Sequence, residues 1–285
     1  MMQESLLDRL SPEQDLLGTR NDLCVRLARS EREVATAQEL RFSVFYEELK
    51  ASPDTAASHS RRDADRFDAF CDHLIVVRRT AGNEAGKFGV DDGEMVGTYR
   101  LLRQSVAEQN GGFYTQSEFD IAPLLAAKPA LKFLELGRSC VLKQYRTKPV
   151  VELLWQGIWN YVRHHGMDVM LGCASLEGTD HRVHAPVLDF LARTCAAPPE
   201  WRVRAVSEVQ IEMNSSAHAP IDGKAALKAL PPLIKGYLRL GCFIGDGAVI
   251  DRQFNTTDVL IILPVSNINP RYFAHFGQPD EAVTY

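Results

Sequence analysis

Residues 133–142 read FLELGRSCVL and residues 149–165 read PVVELLWQGIWNYVRHH. The first stretch is a short apolar run of strand length. In the second, Pro149 stands where a first helical residue belongs, and Val150 to His165 carries the apolar load of a helix packed on a sheet. Val169 to Ala174 is the next strand-length run, so the centre of the chain reads strand, helix, strand. Two charges, Glu135 and Arg138, sit inside the first apolar run and need partners, because unpaired buried charge is very costly.

Upstream, Leu23 to Leu27 reads as a strand and Glu31 to Leu49 as a helix, with Ser30 as N-cap and Glu33 placed for a capping box. Ala51 to Asp65 is polar, is broken by Pro53 and reads as a loop. Leu74 to Arg79 and Met95 to Leu102 read as paired strands, with the Gly- and Asp-rich Thr80 to Gly93 as a long loop between them. Downstream come a short helix at Pro186 to Arg193, strands at Trp201 to Ala205 and Val209 to Met213, and a polar loop from Asn214 to Gly223. A helix at Leu230 to Leu240 and strands at Cys242 to Ile250 and Val259 to Val265 complete the pattern, which is that of an α+β or mixed-sheet domain.

The 285 residues are 45% hydrophobic and 24% charged, the composition of an ordinary globular protein. A net charge of -5 argues against a mainly electrostatic nucleic-acid binder. Met1 to Arg20 has neither a basic nor an apolar signal-peptide region and reads as a polar leader. Val259 to Val265 is the longest aliphatic run, far short of a bilayer span, which leaves peripheral contact as the form any membrane association takes. Six cysteines without CxxC spacing suit reduced thiols in the cytoplasm.

Four segments place charge beside apolar positions. Arg41 and Phe45 share a helix face. Asp65-Arg66-Phe67-Asp68 sets two carboxylates around an aromatic. Gly97 to Leu102 carries Arg100, and the central strand carries Glu135 and Arg138. A structural ion pair at a sheet edge is the plain alternative for that last pair.

The series Arg41…Phe45, Asp65-x-x-Asp68, Arg100-Leu101-Leu102 and Glu135-x-x-Arg138 resembles the ordered motifs of the acyl-homoserine-lactone synthases, which have a GNAT-like fold. A Trp that those enzymes carry soon after the helical Phe has no counterpart between Phe45 and Asp65. A closer resemblance covers nearly the whole chain. Glu135 to Val141, Pro231 to Gly241 (PPLIKGYLRLG), Asp246 to Asp251 and Asn255 to Val259 resemble the bacterial L-ornithine Nα-acyltransferases of ornithine-lipid synthesis, relatives of proteins labelled hemolysin-like. That resemblance implies a GNAT-like acyl-CoA N-acyltransferase fold, with a central mixed sheet flanked by helices. In this division residues 1–20 are the leader, 21–213 the acyltransferase core and 214–285 a C-terminal extension packed on it.

The implied reaction is transfer of a 3-hydroxyacyl group from acyl carrier protein to the α-amine of ornithine, with no tightly bound cofactor. Glu135, Arg138 and Arg100 would form the centre of the site. Asp65 and Asp68 would face the cationic acceptor, and Arg41 and Phe45 would order a loop closing over it. Acyl transfer to an amine needs a proton acceptor and donors for the thioester oxyanion. Glu135 is the base candidate, with pure positioning as its alternative. The backbone N–H groups of Ser139, Cys140 and Val141 are the oxyanion candidates, and Arg100 or Arg138 is placed to hold a carboxylate.

The loop before the long helix, Gln144 to Pro149, has no glycine, so it lacks the backbone cradle that a CoA pyrophosphate uses. Lys143, Arg146 and Lys148 supply positive charge suited to an acidic carrier protein. A CoA-dependent N-acetyltransferase and a lactone-type signal synthase are the competing readings. His184 and Asp189 match an HxxxxD spacing, but His184 lies at a helix start, where capping suffices. Asp180, His181 and His184 lack a further ligand set of usable spacing, so no metal is expected. Leu230 to Leu240 has the pattern of a core helix or of one lying on a membrane surface.

Overall fold

A computed structural model describes residues 16–80, 86–206, 210–213 and 222–269. In chain order its elements are β1 (Leu16–Arg20), β2 (Leu23–Leu27), α1 (Glu31–Phe42), α2 (Thr55–Ser60), β3 (Asp72–Arg79), β4 (Gly89–Val90) and β5 (Gly93–Arg103). Then follow α3 (Gln104–Gln109), α4 (Ala122–Ala127), β6 (Phe133–Val141), α5 (Lys148–His165), β7 (Val169–Glu177) and α6 (His181–Thr194). The last are β8 (Gln210–Ile211), α7 (Gly223–Ala229), α8 (Pro232–Leu240), β9 (Phe243–Asp251) and β10 (Thr256–Pro264). They fall into two compact units. One holds the described residues up to Val106 with Leu136–Gly166; the other holds Ala107–Glu135 and the described residues from Met167 on.

In the first unit β1, β2, β3, β5 and the Leu136–Val141 part of β6 lie side by side, with β1 to β5 paired antiparallel. The run Leu74–Val77 is fully buried rather than alternating, because a helix covers each face. On one face α1 packs Ala37 and Leu40 against Cys24, Ile75, Val77, Met95 and Cys140. On the other α5 comes so near that a Cβ on Gly157 would lie 2.7 Å from Val25 and 3.2 Å from Leu74. Only glycine allows that approach of helix to sheet. Residues two apart on a strand share a face, so His73 points to the α1 side with Ile75.

Ser30 caps α1 by accepting from the Glu33 N–H at 3.3 Å. The return half of a capping box is not made here. The Glu33 carboxylate instead takes the buried Arg26 guanidinium at 2.6 and 2.9 Å and the Arg29 N–H at 2.7 Å. The helix expected to Leu49 is α-helical to Phe42 and continues as a π-helical turn, Ser43–Glu48.

In the second unit Phe133–Glu135 of β6 pair in parallel with Val169–Leu171 of β7, and β7, β10, β9 and β8 follow in order, antiparallel. The C-terminal segment is therefore not an added layer. β10 pairs with β7 along its whole length, from Thr256 opposite Glu177 to Pro264 opposite Val169.

Other boundaries differ from the sequence reading. Leu16–Arg20, assigned to the leader, forms β1; residues 1–15 lie outside the described residues. The loop from Ala51 to Asp65 contains α2, capped by Asp54. Trp201 to Ala205 contributes only isolated bridges, at Arg204 and Ala205. The Val209 to Met213 strand shortens to β8. Residues 81–85, 209 and 214–221, on which parts of the expected loops and of that strand fall, are outside the described residues.

Candidate active site

Arg41, on the sheet-facing side of α1, is 1% exposed. Its Nε donates to Asp63 Oδ2 at 2.8 Å, and its Nη2 to both Asp68 oxygens at 2.8 and 2.9 Å and to the Asp63 carbonyl. Tyr46, carried inward by the π-helical turn, donates its hydroxyl to Asp63 Oδ1 at 3.2 Å.

The Asp65-x-x-Asp68 spacing is a capping box on a single 3₁₀ turn, Arg66–Ala69. Asp65 Oδ1 accepts from the Phe67 N–H at 2.8 Å, and Asp68 Oδ2 from the Asp65 N–H at 3.1 Å. Local hydrogen bonds thus orient both carboxylates in addition to their long-range partners. The partners are arginines. Arg100 Nη1 lies 2.6 Å from Asp65 Oδ1 and 3.3 Å from Asp68 Oδ1, with its guanidinium 5.4 Å from the Phe67 ring centre. Arg138 Nε lies 3.2 Å from Asp63 Oδ2, and its Nη2 3.2 Å from Asp65 Oδ2. Arg138 has φ 51°, a left-handed conformation inside a strand that costs a non-glycine residue about 1 kcal/mol or more.

His73 stands directly opposite Arg100 in the β3–β5 register. Its Nε2 lies 3.1 Å from the Asp68 carbonyl. Burial, and then the positive Arg41, push its pKa below the ordinary histidine range, so it is neutral near pH 7. Burial favours a protonated Asp68, but Arg41 and then Arg100 outweigh it and hold that carboxyl far below the usual carboxylate range. Three arginines thus balance three aspartates around a neutral imidazole.

The network grades outward. The side chains of Arg41, Asp63, Asp68 and Arg100 are at most 5% exposed, whereas those of Arg138 and Asp65 are 13% and 25% exposed. The more exposed edge of the network is thus the Asp65–Arg138 pair. Arg100, expected at the centre of the site, and Asp68, expected to face the acceptor, both lie in the buried part of the network. Asp63 and His73 were missed. Asp63 lies in a loop with no periodicity of its own, but His73 sits at the start of β3 and could have been placed from its alternation with Ile75.

Phe45, expected to order a closing loop, is half-buried against the core under α1. Glu135 is 5% exposed, and each of its oxygens accepts a backbone N–H, from Thr115 at 2.6 Å and Tyr114 at 3.0 Å. The carboxylate anchors the Tyr114–Ser117 turn, a use of Glu135 that its place in the strand did not reveal. Cys140 is buried in the core cluster. Desolvation pushes its thiol up to about 12, the opposite of an activated nucleophile. It shares β6 with Ser139 and Val141.

Of the basic residues before α5, Arg146 is committed to Glu48 in a two-pronged pair at 2.6 and 2.9 Å and to the Val141 carbonyl. Lys143 is exposed, and Lys148 lies 3.5 Å from Glu152. Asp180, not His184, caps α6 by accepting from the Arg182 N–H at 3.2 Å. Among the described residues Glu118, Asp251 and Asp258 bring carboxylate oxygens within 4.8 Å of one another. No described helix is long and apolar enough to cross a membrane.

Residues 40–156 match the family model of the acetyltransferase (GNAT) domain, and the central strand pair with its charge network falls inside that span. The chain is an acyltransferase of the GNAT fold. Over 94% of its length it is 48% identical to a protein of Agrobacterium fabrum and 49% identical to one of Rhizobium meliloti, covering 89% and 88% of those chains. A Rhodobacter capsulatus protein is 38% identical over 87% of this chain and 92% of its own. All three carry the name L-ornithine N(alpha)-acyltransferase. The chain belongs to the L-ornithine Nα-acyltransferase family. Among solved structures, an N-acyl amino acid synthase from uncultured soil microbes aligns over 86% of this chain and 91% of its own, with 12% identity and a TM-score of 0.44, too loose a likeness to carry residue roles.

Proposed function

We propose that this chain transfers a 3-hydroxyacyl group from the phosphopantetheine arm of an acyl carrier protein to the α-amine of L-ornithine, giving a lyso-ornithine lipid. The thioester C–S bond breaks, the amide C–N bond forms, and the proton leaving the amine is balanced by the thiol released on the carrier. Identity of 48% over 94% of the chain with proteins named for ornithine acylation carries the reading.

The geometry supports particular roles within it. Ornithine offers a carboxylate and an ammonium group, and the outer edge of the network offers the matching pair. Arg138 holds the carboxylate, and Asp65 faces the side-chain ammonium. Arg41, Asp63, Asp68, Arg100 and His73 keep that pair in place. Backbone N–H groups of Ser139, Cys140 and Val141 stabilise the oxyanion. The carrier docks on Lys143 and Lys148, while Arg146 is occupied by Glu48. Glu135 positions the strand rather than taking the proton.

The test is incubation of the purified chain with 3-hydroxyacyl carrier protein and a panel of amino acids, with N-acyl products read by mass spectrometry. The expected product is 3-hydroxyacyl-ornithine, lost in Arg138→Ala protein that still folds. Transfer from acetyl-CoA alone would overturn the reading.

A further inference from the structure

Residues 223–241, GKAALKALPPLIKGYLRLG, contain four basic residues and no acidic one, in a chain whose net charge is -5. They form α7 and α8. The buried anchors are Ala226, Leu230, Ile234 and Tyr237. Outward, on α7, Lys224, Leu227 and Lys228 are spaced three and four apart and share one face, all exposed, with Leu227 44% open to solvent. On α8, Lys235 and Arg239 share a face, with Pro232 exposed and Leu233 half-exposed beside them. Lys235 reaches back to the Lys228 carbonyl at 2.8 Å, tying the two helices together. Among the described residues no carboxylate is ion-paired with Lys224, Lys228 or Arg239. The nearest acid in sequence, Asp222, caps α7 through the Ala225 N–H.

We infer that the α7–α8 face docks on an anionic lipid surface. An exposed leucine flanked by lysines suits an interface, where the apolar side chain enters the acyl boundary and the ammonium groups stay among headgroup phosphates. Local charge of +4 on a protein of net -5 turns this face toward a negative surface. The partner is a bilayer because the proposed product is an amphiphile that must leave the protein for one; the inference rests on the proposed function in that clause alone. No described helix can span a membrane, so the attachment is peripheral.

The experiment is co-sedimentation of the full chain with phosphatidylglycerol–phosphatidylcholine vesicles and with pure phosphatidylcholine vesicles, at low and high salt. Binding is expected to the anionic vesicles only and to weaken with salt. Lys224→Ala with Lys228→Ala should weaken it about 25-fold, roughly fivefold per lysine, and Leu227→Glu should weaken it further. Acylation measured with soluble acyl carrier protein and ornithine should be unchanged in these variants. Anionic-vesicle binding that is absent, or indifferent to all three substitutions, overturns the inference. So does a rise in KM for the carrier with vesicle binding intact, which would make this face a protein-docking surface. Vesicle binding requires no turnover, so its outcome is separate from that of the acylation assay.

Discussion

Asp65 and Arg138, 73 residues apart in sequence, meet at 3.2 Å with the other Asp65 oxygen still capping the Phe67 N–H at 2.8 Å. One carboxylate therefore does two jobs that substitution separates. Asp65→Asn keeps an oxygen for the cap and removes the charge. Its thermal midpoint should fall, because the buried Arg100 loses its nearest carboxylate at 2.6 Å, while KM for ornithine rises about tenfold or more, the scale of one charge-assisted hydrogen bond. Asp65→Ala should show the same rise in KM and a further loss of about 1 kcal/mol from the missing cap. Equal KM values for parent and Asn variant would remove Asp65 from the acceptor site.

Arg41 is the buried hub of the network, and its removal leaves Asp63 and Asp68 without their main counter-charge. Stranding buried carboxylates costs about 3–5 kcal/mol, or roughly 6–20 °C in midpoint for a chain of this size. Calorimetry of Arg41→Leu should show that loss, and Arg41→Lys, which keeps the charge but not the fork, an intermediate one. A change below about 1 kcal/mol would mean that the network contributes little to folding.

The architecture was legible where a physical rule acts locally. FLELGRSCVL, the Pro149 helix and the two apolar runs near residues 74–79 and 95–102 fall where β6, α5, β3 and β5 are found. The charged positions 41, 65, 68, 100 and 138 also converge on one network. Their division of labour was not legible, because it depends on burial. Asp65 and Asp68 look equivalent in sequence, yet one is 25% exposed and the other 5%. Glu135 and Arg138 look like partners at i, i+3, yet Glu135 holds backbone N–H groups and Arg138 holds Asp63 and Asp65. A strand residue with φ near 50° leaves no mark in hydropathy, and β10 pairing with β7 is a long-range choice that periodicity does not encode.

Stability should fall with acid in two stages. His73 has a depressed folded pKa and is neutral when buried, so below its ordinary value near 6.5 the unfolded chain binds a proton the folded one does not. Unfolding free energy therefore drops as pH falls from about 6.5, by at most about 1.4 kcal/mol per pH unit for one proton. Asp68, also depressed, adds its loss only as pH falls through the ordinary carboxylate range. Urea titrations at pH 7, 6, 5 and 4 should show both limbs, and His73→Gln should flatten the segment between pH 6.5 and 5. An unchanged slope there would mean that the first stage belongs to another group.

Glu135 decides between two chemistries. If it is the anchor that its hydrogen bonds to Tyr114 and Thr115 describe, Glu135→Gln keeps one acceptor oxygen and sets an amide N–H₂ against a backbone N–H. The cost is then one lost bond and one crowded donor, about 1–3 kcal/mol in stability. The rate of acyl transfer should fall by less than the 10²–10⁴ expected for removal of a general base. The acid limb of the kcat/KM profile should survive, since the group that titrates lies elsewhere, in the amine of the acceptor itself. A fall beyond about a hundredfold with that limb erased, in protein of nearly unchanged stability, would return the proton to Glu135. The acylation of ornithine would stand, and only the assignment of the base would change.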